Sequence, residues 1–128
     1  MTTEIEVRFS DEDSQGHVSH IPIVEWIAHA RVKFIDDAVG KARCEQLDYT
    51  LVHLDVDFLG EIQYGATLSI EASIFAVGRK SLTTKYSVME GDTDLAKATC
   101  INVFFDKQSG HTTIIPDVLR VILQSHHE

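Results

Sequence analysis

Phe9-Ser10-Asp11-Glu12-Asp13-Ser14-Gln15-Gly16-His17-Val18-Ser19-His20 is a polar turn relaxed by glycine, and the stretch behind it, Ile21 to Val39, reads as one apolar helix. Pro22 suits the first helical turn and Gly40 the exit. Val24, Ile27, Ala28, Phe34, Ile35 and Ala38 fall on one broad face, while Glu25, His29 and Lys33 form a polar stripe at i, i+4 and i+8. Ile21, Ile23, Trp26 and Val32 widen the apolar surface. That much grease predicts a helix lying inside a curved sheet rather than on an open surface.

Working outward, Ile5, Val7 and Phe9 alternate with Glu4, Glu6 and Arg8, the period of a half-buried strand. After the helix, Val52, Leu54, Val56 and Phe58 share one parity, with His53, Asp55 and Asp57 on the other. Leu68, Ile70, Ala72, Ile74 and Ala76 alternate with Thr67, Ser69, Glu71 and Ser73; Leu82, Thr84, Tyr86 and Val88 alternate with Ser81, Thr83, Lys85 and Ser87. The short polar connections at Gly78-Arg79-Lys80 and Gly91-Asp92-Thr93-Asp94 make 66–77, 80–90 and 95–105 consecutive antiparallel strands. A brief strand near 112–115 follows, and Pro116-Asp117 opens a C-terminal helix with Val118, Leu119, Val121, Ile122 and Leu123. One strand, one long helix and an antiparallel run predict a single α+β domain over residues 1–128, with the sheet wrapped around the helix.

A formal net charge of −9 argues against nucleic acid or an anionic membrane as the main partner, since either polyanion is repelled. Any phosphate-bearing ligand must therefore meet a local cluster of cations. Cys44 and Cys100 stand apart with no C-x-x-C spacing, as buried free thiols of a reducing compartment do. The N-terminus has no basic-then-apolar signal pattern and no apolar run reaches spanning length, so the expected location is the cytoplasm.

Asp13 is the candidate catalyst. A carboxylate beside a helix N-terminus places an acid or nucleophile next to unpaired main-chain N–H groups and a partial positive charge. The same residue could instead cap the helix. His17 and His20 form an H-x-x-H pair which, with Asp11 or Asp13, has the donor types of a metal site, but no third ligand has a defined spacing and the expectation is no metal. His17 then orders the turn. Glu25 and His29, one helical turn apart, read as a solvated pair.

The segment Val7 to Val18, the later Ala30-Arg31, the hairpin Gly78-Arg79-Lys80-Ser81, and the tail from Val103-Phe104-Phe105-Asp106 through Gly110 to Ile115-Pro116-Asp117 together resemble the 4-hydroxybenzoyl-CoA thioesterase-like branch of the hot-dog acyl-CoA thioesterases. The resemblance spans nearly the whole chain, and its most specific element is D-x-D-x-x-G-H-V, Asp11 to Val18. It implies the hot-dog fold and hydrolysis of an acyl-CoA to free acid and CoA without a cofactor. It also implies Asp13 as nucleophile or general base, the His20 backbone amide as oxyanion donor, and CoA phosphate contacts at Arg79, Lys80 and Ser81; beside these, His17 is the expected substrate-binding residue of the turn and the His20 side chain the expected lining of the acyl pocket. Asp11 is implied only to shape the turn. The assembly it implies is a homodimer or homotetramer with continuous sheets and sites at the interface. The chain departs from the family at Ser19, His20 and Ile23, where asparagines and a tyrosine are usual, which bears on the acyl group. Two rivals remain: a hot-dog hydratase or dehydratase using Asp13 with His17, and a non-catalytic acyl-CoA-binding module.

Overall fold

In the computed structural model the alternating segments become long strands. The structure describes residues 1–8, 11, 18 and 20–126, so Phe9, Asp13, His17 and Ser19 lie outside the described residues. The elements are β1 (Thr2–Glu6), α1 (His20–Ala42), β2 (Leu47–Phe58), β3 (Thr67–Val77), β4 (Ser81–Glu90), β5 (Thr93–Asp106) and α2 (Asp117–Ser125). They build one five-stranded sheet in the order β1-β3-β4-β5-β2, antiparallel throughout. The meander β3-β4-β5 forms its centre because its connections are short. The strands before and after α1 are sent to opposite edges.

The inward residues of the meander match the expected parity: Leu68, Ile70, Ile74, Leu82, Thr84, Tyr86 and Val88 are all buried. Two bulges correct the pattern at its ends. Between Ile74 and Ala76 the register shifts, Phe75 turns outward over the Lys85 ammonium at 3.9 Å, and Ala76 pairs with Thr83, so Ala76 leaves the inner set. Between Leu51 and His53 a second shift puts Val52 out of step, 56 % exposed, so it does not share the environment of Leu54 and Val56. β2 also begins at Leu47, five residues before the expected apolar run. The expected strand near 112–115 reduces to one bridge between Thr112 and Phe105.

The sheet covers one face of α1. Ile23, Trp26, Ile27, Ala30, Phe34, Ile35, Ala38 and Ala42 are buried against it and against Leu119 and Leu123 of α2. Ala28, expected on that face, is exposed, as are Ile21 and Val32, and Val24 is half-buried. These four share a second stripe at i, i+3, i+7 and i+11. The stripe runs beside β2: the His20 ring meets Phe58 edge-on at 6.4 Å, and Tyr49 of β2 donates to Val32 O at 3.3 Å.

One polar network crosses the core. The Asn102 amide donates to Leu82 O at 3.0 Å and to Thr84 Oγ1 at 3.3 Å, and its oxygen accepts from Arg31 Nη1 at 2.9 Å. Tyr86 donates to Thr84 at 2.8 Å, and the Arg31 guanidinium lies 5.5 Å from the Tyr49 ring centre. Burial pushes the Cys100 thiol up to about 11, so it stays protonated at neutral pH.

Candidate functional site

The turn is anchored at the points where it is described. Asp11 is buried, and its carboxylate accepts three hydrogen bonds from one residue: Arg8 N at 2.9 Å, Arg8 Nε at 3.4 Å and Arg8 Nη2 at 2.9 Å. Asp11 N–H donates back to Arg8 O at 3.0 Å. Burial drives the Asp11 pKa up, but the hydrogen bonds and charge of Arg8 outweigh it and hold the carboxyl below its ordinary 3.8. Both oxygens are thus committed to shaping the turn, which suits neither a base nor a metal ligand. At the other end of the turn, buried Val18 donates to Ile62 O at 2.8 Å, tying the approach to α1 to the β2–β3 connection.

His20 is the first residue of α1. The N–H groups of His20 and Ile21 belong to the first helical turn, which has no intrahelical acceptors, and Pro22 has no N–H at all. The helix therefore begins with two N–H groups that have no acceptor among the described residues and with the positive end of its dipole, beside exposed Ile21 and Phe58. Asp13 and His17, the other residues expected here, fall outside the described residues. Glu25 lies close enough to Arg8 for its charge to help raise the Arg8 pKa, behind the larger effect of Asp11, so it stands beside the Arg8–Asp11 pair; His29 is exposed, as its stripe predicts.

Arg79 and Lys80 form the exposed tip between β3 and β4, and Ser81 opens β4. A Cβ on Gly78 would lie 2.6 Å from Ser81 Oγ, so that hydroxyl is folded back onto the hairpin. The structure does not bring this hairpin to the start of α1 within one chain. Phe58, beside His20, pairs with Ala96 at one end of β5, whereas Ser81 pairs with Val103 near the other. The separation along the strands is roughly 23 Å at about 3.3 Å per residue.

Sequence reasoning missed Phe58 as a neighbour of His20, because a strand end and a helix start 38 positions apart show no joint pattern. It also missed Arg120, which has the spacing of the solvent side of a short helix. Arg120 reaches back from α2 to the hairpin, donating to Gly78 O at 3.0 Å and Arg79 O at 3.3 Å. On the outer face of the sheet, Lys85, Lys97, Asp55 and Asp57 line a depression of about 320 Å³ on the side away from α1, and His53 pairs with Asp55 at 3.2 Å. No helix among the described residues is long and apolar enough to cross a membrane.

A family model described as the thioesterase-like superfamily matches residues 7–123. No curated protein matches. Similar solved structures include a predicted thioesterase from Bacillus stearothermophilus, 24 % identical over 99 % of this chain and 96 % of that one, with a TM-score of 0.88. A gentisyl-coenzyme A thioesterase is 17 % identical over 96 % and 99 %, with a TM-score of 0.81. A thioesterase from Thermus thermophilus, complexed with coenzyme A and Zn, is 21 % identical over 97 % and 91 %, with a TM-score of 0.84. At these identities the structures establish the common hot-dog fold.

Proposed function

The chain belongs to the thioesterase-like superfamily, a class of thioester hydrolases, and from that premise we propose that it hydrolyses an acyl-CoA to free acid and coenzyme A, with Asp13 as nucleophile or general base and the His20 N–H as donor to the thioester oxygen. The observation that supports it most is the start of α1, where the His20 and Ile21 N–H groups have no acceptor among the described residues and the helix dipole begins seven positions after Asp13 in the sequence. Attack on the thioester carbon, by the carboxylate or by water that it deprotonates, moves an electron pair onto the carbonyl oxygen, where the His20 N–H stabilises it. Collapse breaks the C–S bond and the CoA thiolate leaves to take up a proton; where the carboxylate itself attacked, water then hydrolyses the resulting mixed anhydride, releasing the acid and regenerating Asp13. No step needs a metal or redox group.

The CoA-binding hairpin then comes from a second copy. Antiparallel pairing of β2 with β2 of a partner, about a two-fold axis, sets the start of one β2 beside the end of the other. The partner's hairpin end thereby lies alongside the His20 end, closing the gap of roughly 23 Å that separates them along one chain. The reading is a homodimer with two composite sites; a homotetramer is two such dimers. The gentisyl-CoA thioesterase and the CoA-bound relative support the CoA part of the substrate.

The test is thiol release from short, long and aromatic acyl-CoAs by wild type and Asp13→Ala. Hydrolysis that survives in a folded Asp13→Ala dimer removes Asp13 from the mechanism. Hydration of an enoyl-CoA without thioester cleavage favours a hydratase, and tight CoA-ester binding without turnover favours a binding module.

A further inference from the structure

The hairpin between β3 and β4 has an internal polarity that its sequence does not disclose. All three of its carbonyl oxygens are taken from the protein side: Gly78 O by Arg120 Nη1, Arg79 O by Arg120 Nη2 and by the Ile115 N–H at 3.0 Å, and Lys80 O by the Phe104 N–H at 3.1 Å. In a trans peptide the N–H points opposite to the C=O of the preceding residue, and the chain has no cis bonds among its described residues. The Arg79 and Lys80 N–H groups are therefore turned outward, away from Arg120, and neither has an acceptor among the described residues. The exposed Arg79 side chain extends from the same tip, while the exposed Lys80 side chain leans toward Thr112, its Nζ 3.5 Å from Thr112 Oγ1. Consecutive outward N–H groups flanked by cations make an anion-binding concavity, here on a chain of net charge −9.

Two of the four bonds that impose this polarity come from one side chain. Arg120 is part-buried, sits in the first turn of α2 through its own N–H to Pro116 O at 2.9 Å, and spends its guanidinium fork on main-chain oxygens rather than on a carboxylate. We propose that Arg120 is a positioning residue for CoA: it holds the hairpin with its N–H groups and cations facing the CoA phosphates, which belong to the substrate bound at the partner's reaction end. This inference rests on the acyl-CoA reading above. Arg120 itself need not touch the ligand.

The experiment compares two thioesters of the same acid, one on CoA and one on N-acetylcysteamine, which has the thiol but no phosphates. Arg120→Ala is expected to raise KM for the acyl-CoA about tenfold, the scale of one lost charge-assisted contact, with kcat unchanged. Hydrolysis of the N-acetylcysteamine ester is expected to be unaffected. Arg120→Lys, able to serve one carbonyl, should fall between, and adding Arg120→Ala to Arg79→Ala/Lys80→Ala should cost less than the product of the two, because Arg120 acts through that tip. An equal loss on both thioesters, or an unchanged KM for acyl-CoA, overturns the proposal. If Arg120→Ala fails to fold by circular dichroism, Arg120→Lys and Arg120→Gln decide on the same criteria. If wild type cleaves neither thioester, the proposed hydrolysis fails, and calorimetric binding of CoA alone judges Arg120: a tenfold weaker Kd in the variant supports it, while an equal Kd or no binding by wild type overturns it.

Discussion

β1 and β2 both lie at an edge of the sheet, but β1 has five residues and carries Glu4 and Glu6, whereas β2 has twelve and leaves Leu51, Val52 and Phe58 exposed. A short edge offers another chain few main-chain groups and a long one offers many; β2 also carries Asp48, Asp55 and Asp57, so its length and the exposed Leu51, Val52 and Phe58, not a lack of charge, favour pairing there. The stripe Ile21, Val24, Ala28 and Val32 lies next to β2, so the unburied apolar surface of α1 is also on this side. Among the described residues, a single chain thus leaves its longer and more apolar open edge at β2. In the proposed dimer the same edge separates the two halves of the site, so completing the sheet and completing the site would be one event.

The largest effect should come from the reaction centre itself. Asp13→Ala is expected to lower kcat by about 10²–10⁴, the usual range for a general base. Mixing Asp13→Ala chains with Arg79→Ala/Lys80→Ala chains should restore activity as heterodimers form, since one site then has both an intact Asp13 and an intact partner hairpin. Failure of the mixture to exceed either parent, with exchange confirmed by mass, breaks the trans arrangement. Next comes the edge. Val52→Asp is expected to give a folded monomer by light scattering and to reduce hydrolysis by about tenfold or more, because a charge on a pairing edge opposes β-augmentation. A dimer of unchanged mass would move the interface elsewhere.

Within the chain, Asn102→Ala should destabilise by about 2 kcal/mol in urea denaturation without altering CoA specificity, since it removes the acceptor of Arg31 Nη1 and a donor to Thr84 Oγ1 in the core. The smallest effect lies after β1. Asp11 has a folded pKa below its unfolded value, so its contribution to stability is present above about pH 4 and is lost as pH falls through the folded pKa. Melting temperatures between pH 2 and 6 should fall more steeply for wild type than for Asp11→Asn; parallel curves would remove the Arg8–Asp11 pair from the acid response.

Much of this architecture is legible in the sequence because it is periodic. The alternation from Leu68 to Val88 marks two central strands and their inner face, and Glu25, His29 and Lys33 mark the polar side of α1. The errors fall where periodicity breaks. The bulges at Val52 and Phe75 reset the alternation by one residue, and Leu47 to Leu51 mixes polar and apolar types because an edge strand meets several environments. Ala28 departs from its expected place in the core because two apolar stripes of α1 cannot be ranked without knowing which one the sheet covers. Asp11 shapes the turn as expected, and its partner Arg8 lies only three positions away.

Local patterns of side-chain type and spacing suffice for the order of the long strands and helices and for the basic tip on an acidic chain, so the sequence specifies each of these unaided. That His20 meets Phe58, that the basic tip lies at the opposite end of the sheet, and that Arg120 turns its carbonyls inward are settled only in the folded chain. Those relations join residues far apart in sequence, and the free energy that selects them comes from burying one shared core, which no single stretch of sequence contains.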